Sequence, residues 1–312
     1  MPLTKSCRII LNQCMGLKSS ESCLIITDSR LKRIGFELFK NSLSITKKSK
    51  LIFIPIPESH GSEPPKDVAM QMLNYDVILM PTTKSISHTR ARHNAIKKGA
   101  RAASMPGITE GMMNRALNVD FNKVRLINEK LITKLKNKTN IKITTKKGTC
   151  IEFSLKGRKW LGDDGIMTKR KSFSNLPAGE IFIAPLEGKT NGKIVCDASV
   201  GGLGKVDENI EITVKGGFIE NINGGKIADE FSNLLKNNLY KNVAELGIGT
   251  NPKAKITGEV LEDEKVMGTC HIAFGNNRHF GGTVDVPFHV DFVIRNPTIY
   301  ADGILIMDEG KF

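Results

Sequence analysis

Three of the six histidines, His271, His279 and His289, fall within 19 residues of a 312-residue chain. The run Val286 to Ile294 is apolar and β-branched enough to predict a strand, and His289-Val290-Asp291 lies inside it. Strand side chains alternate between faces, so the imidazole of His289 and the carboxylate of Asp291 project together. His271 sits in a second strand-like run, Gly268-Thr-Cys-His-Ile-Ala-Phe-Gly275, where a polar ring needs a partner. Its neighbour Cys270 would face the other way, into the core. Glu180 and Glu245 each adjoin an apolar run flanked by glycine and proline, as expected of a strand end facing a cleft. A bare carboxylate is costly to bury unless it is paired or holds a metal. Imidazole nitrogens and carboxylate oxygens without a thiolate suit Zn, Co or Mn. His271, His289 and Asp291 alone form the two-histidine, one-carboxylate set of non-haem Fe(II) oxygenases. Counting formal charge over the five side chains, three carboxylates are better balanced by two divalent ions and a hydroxide than by one ion.

The elements that must position these residues change character along the chain. Apolar runs at 23–27, 51–55 and 76–80 read as buried strands, with a shorter one at 101–104. Amphipathic stretches at 31–40, 65–73, 88–98 and 109–117 read as the helices between and after them. This is the pattern of a parallel sheet with helices packed on it. A longer amphipathic helix is expected over 121–137, with Val124, Ile127, Leu131 and Leu135 on one face. Beyond it, short β-prone runs are separated by glycine pairs, with one helix at about 227–240. The expected architecture is therefore α/β: a Rossmann-like α/β domain over 1–140, followed by a β-rich α+β metal-binding catalytic domain over 141–312. No G-x-G-x-x-G follows the first strand, which argues against a dinucleotide, and Ser199 to Val206 departs from a P-loop at both ends.

Composition excludes several classes. Residues 1–150 carry 27 Lys/Arg against 10 Asp/Glu and residues 151–312 carry 19 against 22, so the halves are +17 and −3. A basic half invites a nucleic-acid reading, but the chain is only 6% aromatic and its lysine runs lack interleaved rings for base stacking. Solvated lysine faces are the better reading. The longest apolar runs fall far short of the roughly 20 residues that span a bilayer, so no membrane partner is expected. No secretory signal is read at the N-terminus, which makes the cytoplasm the expected location. Six cysteines without a C-x-x-C pair are expected to be reduced and mostly buried.

Four separated segments together resemble a known family. Asn175-Leu-Pro-Ala-Gly-Glu180, Glu245-Leu-Gly-Ile-Gly249, Asp263-Glu-Lys-Val-Met-Gly-Thr-Cys-His271-Ile-Ala-Phe-Gly275 and His289-Val-Asp291 are similar in order and chemistry to the metallo-aminopeptidases that include aminopeptidases T and S. The resemblance implies that Glu180, Glu245, His271, His289 and Asp291 hold two divalent ions. It further implies that a metal-activated water releases N-terminal residues from a peptide substrate, and that the enzyme is a homodimer. Those enzymes carry a tyrosine seven residues after the first ligand histidine, where this chain has Arg278, followed by His279. His279, Arg278 or Glu264 would then take over oxyanion stabilisation or proton transfer. The same segments also resemble dihydroxypyridine ring-cleaving dioxygenases. That alternative implies one Fe(II) and a hydroxylated heteroaromatic substrate, with Glu180 and Glu245 outside the ligand set.

Overall fold

The computed structural model describes residues 3–312. The chain forms two compact units, one of residues up to Arg125 together with Asp164–Ala178, the other of Leu126–Asp163 together with Gly179–Phe312. The division is interleaved, where the sequence reading placed a single boundary at 140.

In the first unit, β1 (Cys23–Thr27), β2 (Ser49–Phe53), β3 (Val77–Met80) and β4 (Arg101–Ser104) form a parallel sheet in the order β2-β1-β3-β4. A short strand, Phe173–Asn175, extends the sheet beyond β4, with Ala102 opposite Phe173. Every residue of β1 is buried. Cys23 and Ile25 face one apolar cluster while Leu24 and Ile26 face another, so the strand reads as an unbroken apolar run. The helices α1 (Lys32–Leu43), α2 (Lys66–Met72) and α3 (Arg90–Lys98) alternate with the strands. α3 opens on Thr89, whose Oγ1 accepts from the Arg92 amide at 3.2 Å. It closes on Gly99 at φ +124°, a conformation that favours glycine. No sequence signal announced the return of Phe173–Asn175, a three-residue strand with no apolar run of its own.

The second unit has two seven-stranded sheets. One runs Phe218–Asn223, Ile210–Lys215, Asn191–Cys196, Cys150–Ser154, Asn140–Thr144, Thr298–Ala301, Ile304–Met307. The other is built around β5 (Glu180–Ile183), β6 (Val243–Gly249), β7 (Thr269–Gly275) and β8 (His289–Arg295), adjacent in the order β8-β7-β6-β5. Ile181, Leu246, Ile248, Ile272 and Phe292 of this sheet share one apolar core with Ile143, Phe153, Ile194 and Ile212 of its companion. The helix α4 (Phe121–Leu135) has the expected buried stripe, and Asn128 sits within it. The helix expected over 227–240 is shorter: it spans Lys226–Leu234, and the chain leaves helical geometry at Leu235 (ψ +59°). Asn237 then caps a separate 3-10 turn, its Oδ1 accepting from the Leu239 amide at 2.9 Å. Among the described residues no disulfide forms, and all cysteines but Cys150 are buried. Among the described residues no helix is long and apolar enough to cross a membrane.

One buried ion pair anchors the first unit. Arg101 donates to the carbonyls of Met15 (2.6 Å) and Gly16 (3.0 Å) and, through two bonds of 2.9 and 2.7 Å, to Glu21. These bonds from Arg101 hold the Glu21 carboxyl below its ordinary pKa. Glu21→Gln should therefore lower stability at pH 7 by about 3 kcal/mol, as expected for stripping the partner from a buried guanidinium. A depressed carboxyl stabilises above its unfolded pKa of roughly 4.3 and ceases to do so as pH falls through the folded value. Urea unfolding of both proteins should show the deficit at pH 7 and its shrinkage in acid.

Candidate metal centre

Cross-strand register gathers the donors onto one face of the β8-β7-β6-β5 sheet. Glu180 stands opposite Gly249, Phe182 opposite Gly247, and Gly247 opposite His271. Glu245 stands opposite Ala273, which stands opposite Asp291, and Gly275 is opposite His289. Large polar side chains thus alternate with glycine and alanine, which leave the face room to hold them. Gly247 makes this plain: a Cβ there would lie 1.9 Å from Nε2 of His271 and 2.2 Å from its Cε1, so the imidazole lies across the bare backbone. Glu245 reaches this face by an irregularity. Val243 pairs with Phe274 on the core side, the register shifts between Val243 and Glu245, and Glu245 then pairs with Ala273. The extra residue reverses the alternation, as a β-bulge does.

Nε2 of His271 lies 3.2 Å from Glu180 Oε2 and 3.5 Å from Glu245 Oε1. Nε2 of His289 lies 3.4 Å from Glu245 Oε2 and 3.6 Å from Asp291 Oδ1. Buried polar atoms ordinarily find a hydrogen-bond partner, yet Glu180 Oε2 and Nε2 of His271, though within ion-pair range of each other, form no well-directed hydrogen bond, and neither does the far ring nitrogen of His271. Three overlapping donor groups converge within 4.8 Å: Glu180, Glu245 and His271; Glu245, His289 and Asp291; Glu264, His271 and Asp291. Bare donors aimed at a common space, with mixed nitrogen and oxygen character, fit a divalent ion. His289 is preset for such a role. Its Nδ1 lies 2.9 Å from the carbonyl oxygen of Asn276, which only accepts, so Nδ1 carries the proton and Nε2 is turned to the cluster.

The electrostatics follow from burial opposed by partners. Desolvation disfavours the charged form of both imidazoles. Glu180 and Glu245 outweigh it at His271, and Asp291 and Glu245 outweigh it at His289, so both pKa values rise well above the ordinary histidine range. Burial likewise opposes ionisation of Glu180 and Glu245. Lys265 and His271 overcome it for Glu180, and His271 and His289 for Glu245, so both carboxyls titrate lower than usual. Glu264 goes the other way: burial, reinforced by the charges of Glu180 and Asp291, pushes it up to about 8. The side chain of His271 is 1% exposed and that of His289 is 33% exposed, so the centre is closed at one end and open at the other.

All five sequence-selected donors meet here, and Glu264 joins them. Arg278 and His279 do not. They stand exposed on a 3-10 turn, Arg278–Phe280, where Arg278 pairs with Asp285 at 3.6 Å. From that turn it is Phe280 that approaches the site, its ring edge-on to His289 at 6.0 Å and to Phe182 at 5.7 Å. Sequence reasoning missed Lys265, whose side chain is only 2% exposed and whose Nζ lies 2.5 Å from Glu180 Oε1 and 2.6 Å from Glu264 Oε1. The charge balance drawn from the sequence omitted this cation. In a chain with 46 Lys/Arg, nothing in its local pattern marked it.

An α/β chain whose β-rich unit presents buried imidazole and carboxylate on one sheet face has the donor set of a candidate metal-binding protein. The particular family is identified by a profile described as "NicX: 2,5-dihydroxypyridine 5,6-dioxygenase", which matches residues 16–312; the chain belongs to this family. The 2,5-dihydroxypyridine 5,6-dioxygenase of Pseudomonas putida KT2440 is 25% identical over 255 residues, which cover 74% of this chain and 70% of that one. The solved 2,5-dihydroxypyridine dioxygenase from the same strain superposes with a TM-score of 0.82 at 18% identity, covering 99% of this chain and 96% of the other. Wild-type AmpT from Thermus thermophilus superposes at 0.75 with 15% identity, covering 100% and 98%. These two likenesses establish the fold. The fold implied by the aminopeptidase resemblance is present, while the family is the one the sequence reading held second.

Two outcomes are expected. Gly247→Ala should displace the His271 ring and weaken divalent-ion binding by at least about tenfold, the loss usual for disturbing the support of a ligand; calorimetric titration with Mn(II) would measure it. Binding should also strengthen as pH rises through and above about 6.5, because the ion must displace protons from imidazoles whose pKa values are raised. Proton release then appears as a dependence of the binding heat on buffer. In the metal-free chain the linkage has the opposite sense: the protonated imidazoles stabilise the fold below about 6.5, and this contribution is lost as pH rises through the folded values.

Proposed function

We propose that this protein is a non-haem Fe(II) dioxygenase that opens the ring of a hydroxylated nitrogen heteroaromatic such as 2,5-dihydroxypyridine. The observation that carries the reading is the placement of His271, His289 and Asp291 on the adjacent strands β7 and β8, in a chain of the dihydroxypyridine dioxygenase family. Asp291 groups with each imidazole in turn, as the carboxylate of a two-histidine, one-carboxylate set must. A bound Fe(II) would supply the activation of O2 that the side chains cannot.

The chain's own residues prepare the remainder. The Asn276 carbonyl holds the His289 tautomer. Lys265 and His271 keep Glu180 ionised, and Glu264, its carboxyl pKa pushed up by burial, stands beside Asp291 and His271, where it can exchange a proton with a substrate hydroxyl or ring nitrogen. At the open end Phe280 and Phe182 offer aromatic surface to a planar ring. Arg278 and His279, exposed on their turn, are given no catalytic part.

A second reading is metal-dependent aminopeptidase action. It is favoured by the two donor groups that share Glu245, an arrangement suited to a bridged pair of Zn, Co or Mn ions. The two are separated by loading the metal-free protein with Fe(II) under argon and following O2 consumption with 2,5-dihydroxypyridine. In parallel, Zn-, Co- and Mn-loaded protein is assayed for hydrolysis of leucyl-anilide. We expect one O2 consumed per ring opened, no hydrolysis, and loss of both iron and turnover in His289→Ala and Asp291→Ala. Hydrolysis without O2 uptake would overturn the dioxygenase reading.

A further inference from the structure

We propose that Lys265 is the built-in second cation of this centre and limits it to one divalent ion. The inference rests on the reading of the cluster as a metal centre, and not on which ion or reaction it serves. Two donor groups sharing a carboxylate, Glu180-Glu245-His271 and Glu245-His289-Asp291, would otherwise accommodate a pair of ions. The ammonium of Lys265 intrudes on the first. It takes Oε1 of Glu180 at 2.5 Å and Oε1 of Glu264 at 2.6 Å, leaving Glu180 only Oε2 for the cluster. An ion held by Glu180, Glu245 and His271 would face a fixed positive charge shared through the same carboxylate, among side chains buried from solvent.

The lysine cannot swing aside to relieve this. Its side chain is 2% exposed, and its backbone is tied at both ends. Its amide donates to the Glu262 carbonyl at 3.0 Å, and its carbonyl accepts from the Asn251 amide at 2.8 Å. The segment also lies directly on β6. A Cβ at Gly249 would meet the Val266 carbonyl oxygen at 2.1 Å and the Lys265 carbonyl carbon at 2.9 Å. Gly249 is the register partner of Glu180, so the bare backbone there brings Lys265 against Glu180. A buried ammonium is tolerated only when carboxylates surround it, and here one of them, Glu180, is a carboxylate the second ion would need.

The test is a count of ions. Metal-free protein is dialysed against Mn(II), and bound metal is measured by elemental analysis and by electron paramagnetic resonance. Wild type should hold one ion with an uncoupled six-line spectrum. Lys265→Met should hold two with a spin-coupled spectrum, its second site tightening at least about 100-fold once the like charge is gone. Lys265→Arg, which keeps the charge, should hold one. The double variant Lys265→Met with Glu180→Gln should return to one, because it also removes a carboxylate of the second site. Thermal melting checks that each variant is folded, and Lys265→Gln is read in place of a Met variant that is not. Two ions in wild type, or one in the charge-neutral variant, would overturn the proposal. Absence of O2 uptake would bear on the dioxygenase reading alone, because the Mn(II) count does not depend on oxygen chemistry.

Discussion

The centre depends on a steric allowance: four adjacent strands can carry imidazoles and carboxylates on one face because each donor has a glycine or alanine opposite it on at least one neighbouring strand. Gly249 faces Glu180, Gly247 faces Phe182 and His271, Ala273 faces Glu245 and Asp291, and Gly275 faces His289. The reverse face of the same strands is Ile181, Leu246, Ile248, Ile272 and Phe292, packed into the core. Because strand side chains alternate with a period of two, slipping any of these strands by one residue would bury its charged groups in hydrocarbon and expose its core. The apolar face therefore locks the register, and the register assembles the donors.

Once assembled, the donors repel or attract one another strongly, and the chain answers with groups of its own. Carboxylates at this density would resist burial alone. Lys265 compensates Glu180 at one end and holds Glu264, whose carboxyl pKa burial pushes up. At the other end His289 opens to solvent beside Phe280. This polarity gives the site a direction, with a fixed and fully buried charge network at the His271 end and an accessible, aromatic-lined mouth at the His289 end.

One fold here is shared with an aminopeptidase of the AmpT type and with a dihydroxypyridine dioxygenase, and at under 20% identity the scaffold alone does not choose between hydrolysis and oxygen chemistry. On the proposals made above, how many ions the donors are allowed to hold and what stands at the mouth would choose between them. Both are properties of single side chains. Lys265 within the cluster and Phe280 near its mouth are such side chains in this chain.

Much of this was legible without coordinates. The period-two pattern around His289 and Asp291, the apolar setting of His271, and the alternation of apolar runs and amphipathic stretches are local signals. They follow from residues close in the chain and so named His271, His289 and Asp291 and the α/β architecture; the family resemblance added Glu180 and Glu245 to the donor set. Other features depend on contacts between distant segments. The reversal at Glu245 comes from a shift against β7. The Phe173–Asn175 strand gains its place only by pairing with β4. Lys265 becomes a buried partner of Glu180 only because Gly249 lets its backbone lie against the sheet, 85 residues away from Glu180 along the chain. Local pattern determined which residues could ligate, since alternation and burial are written residue by residue; the tertiary structure alone decided which of them share a cation, because that depends on cross-strand register and close backbone approach.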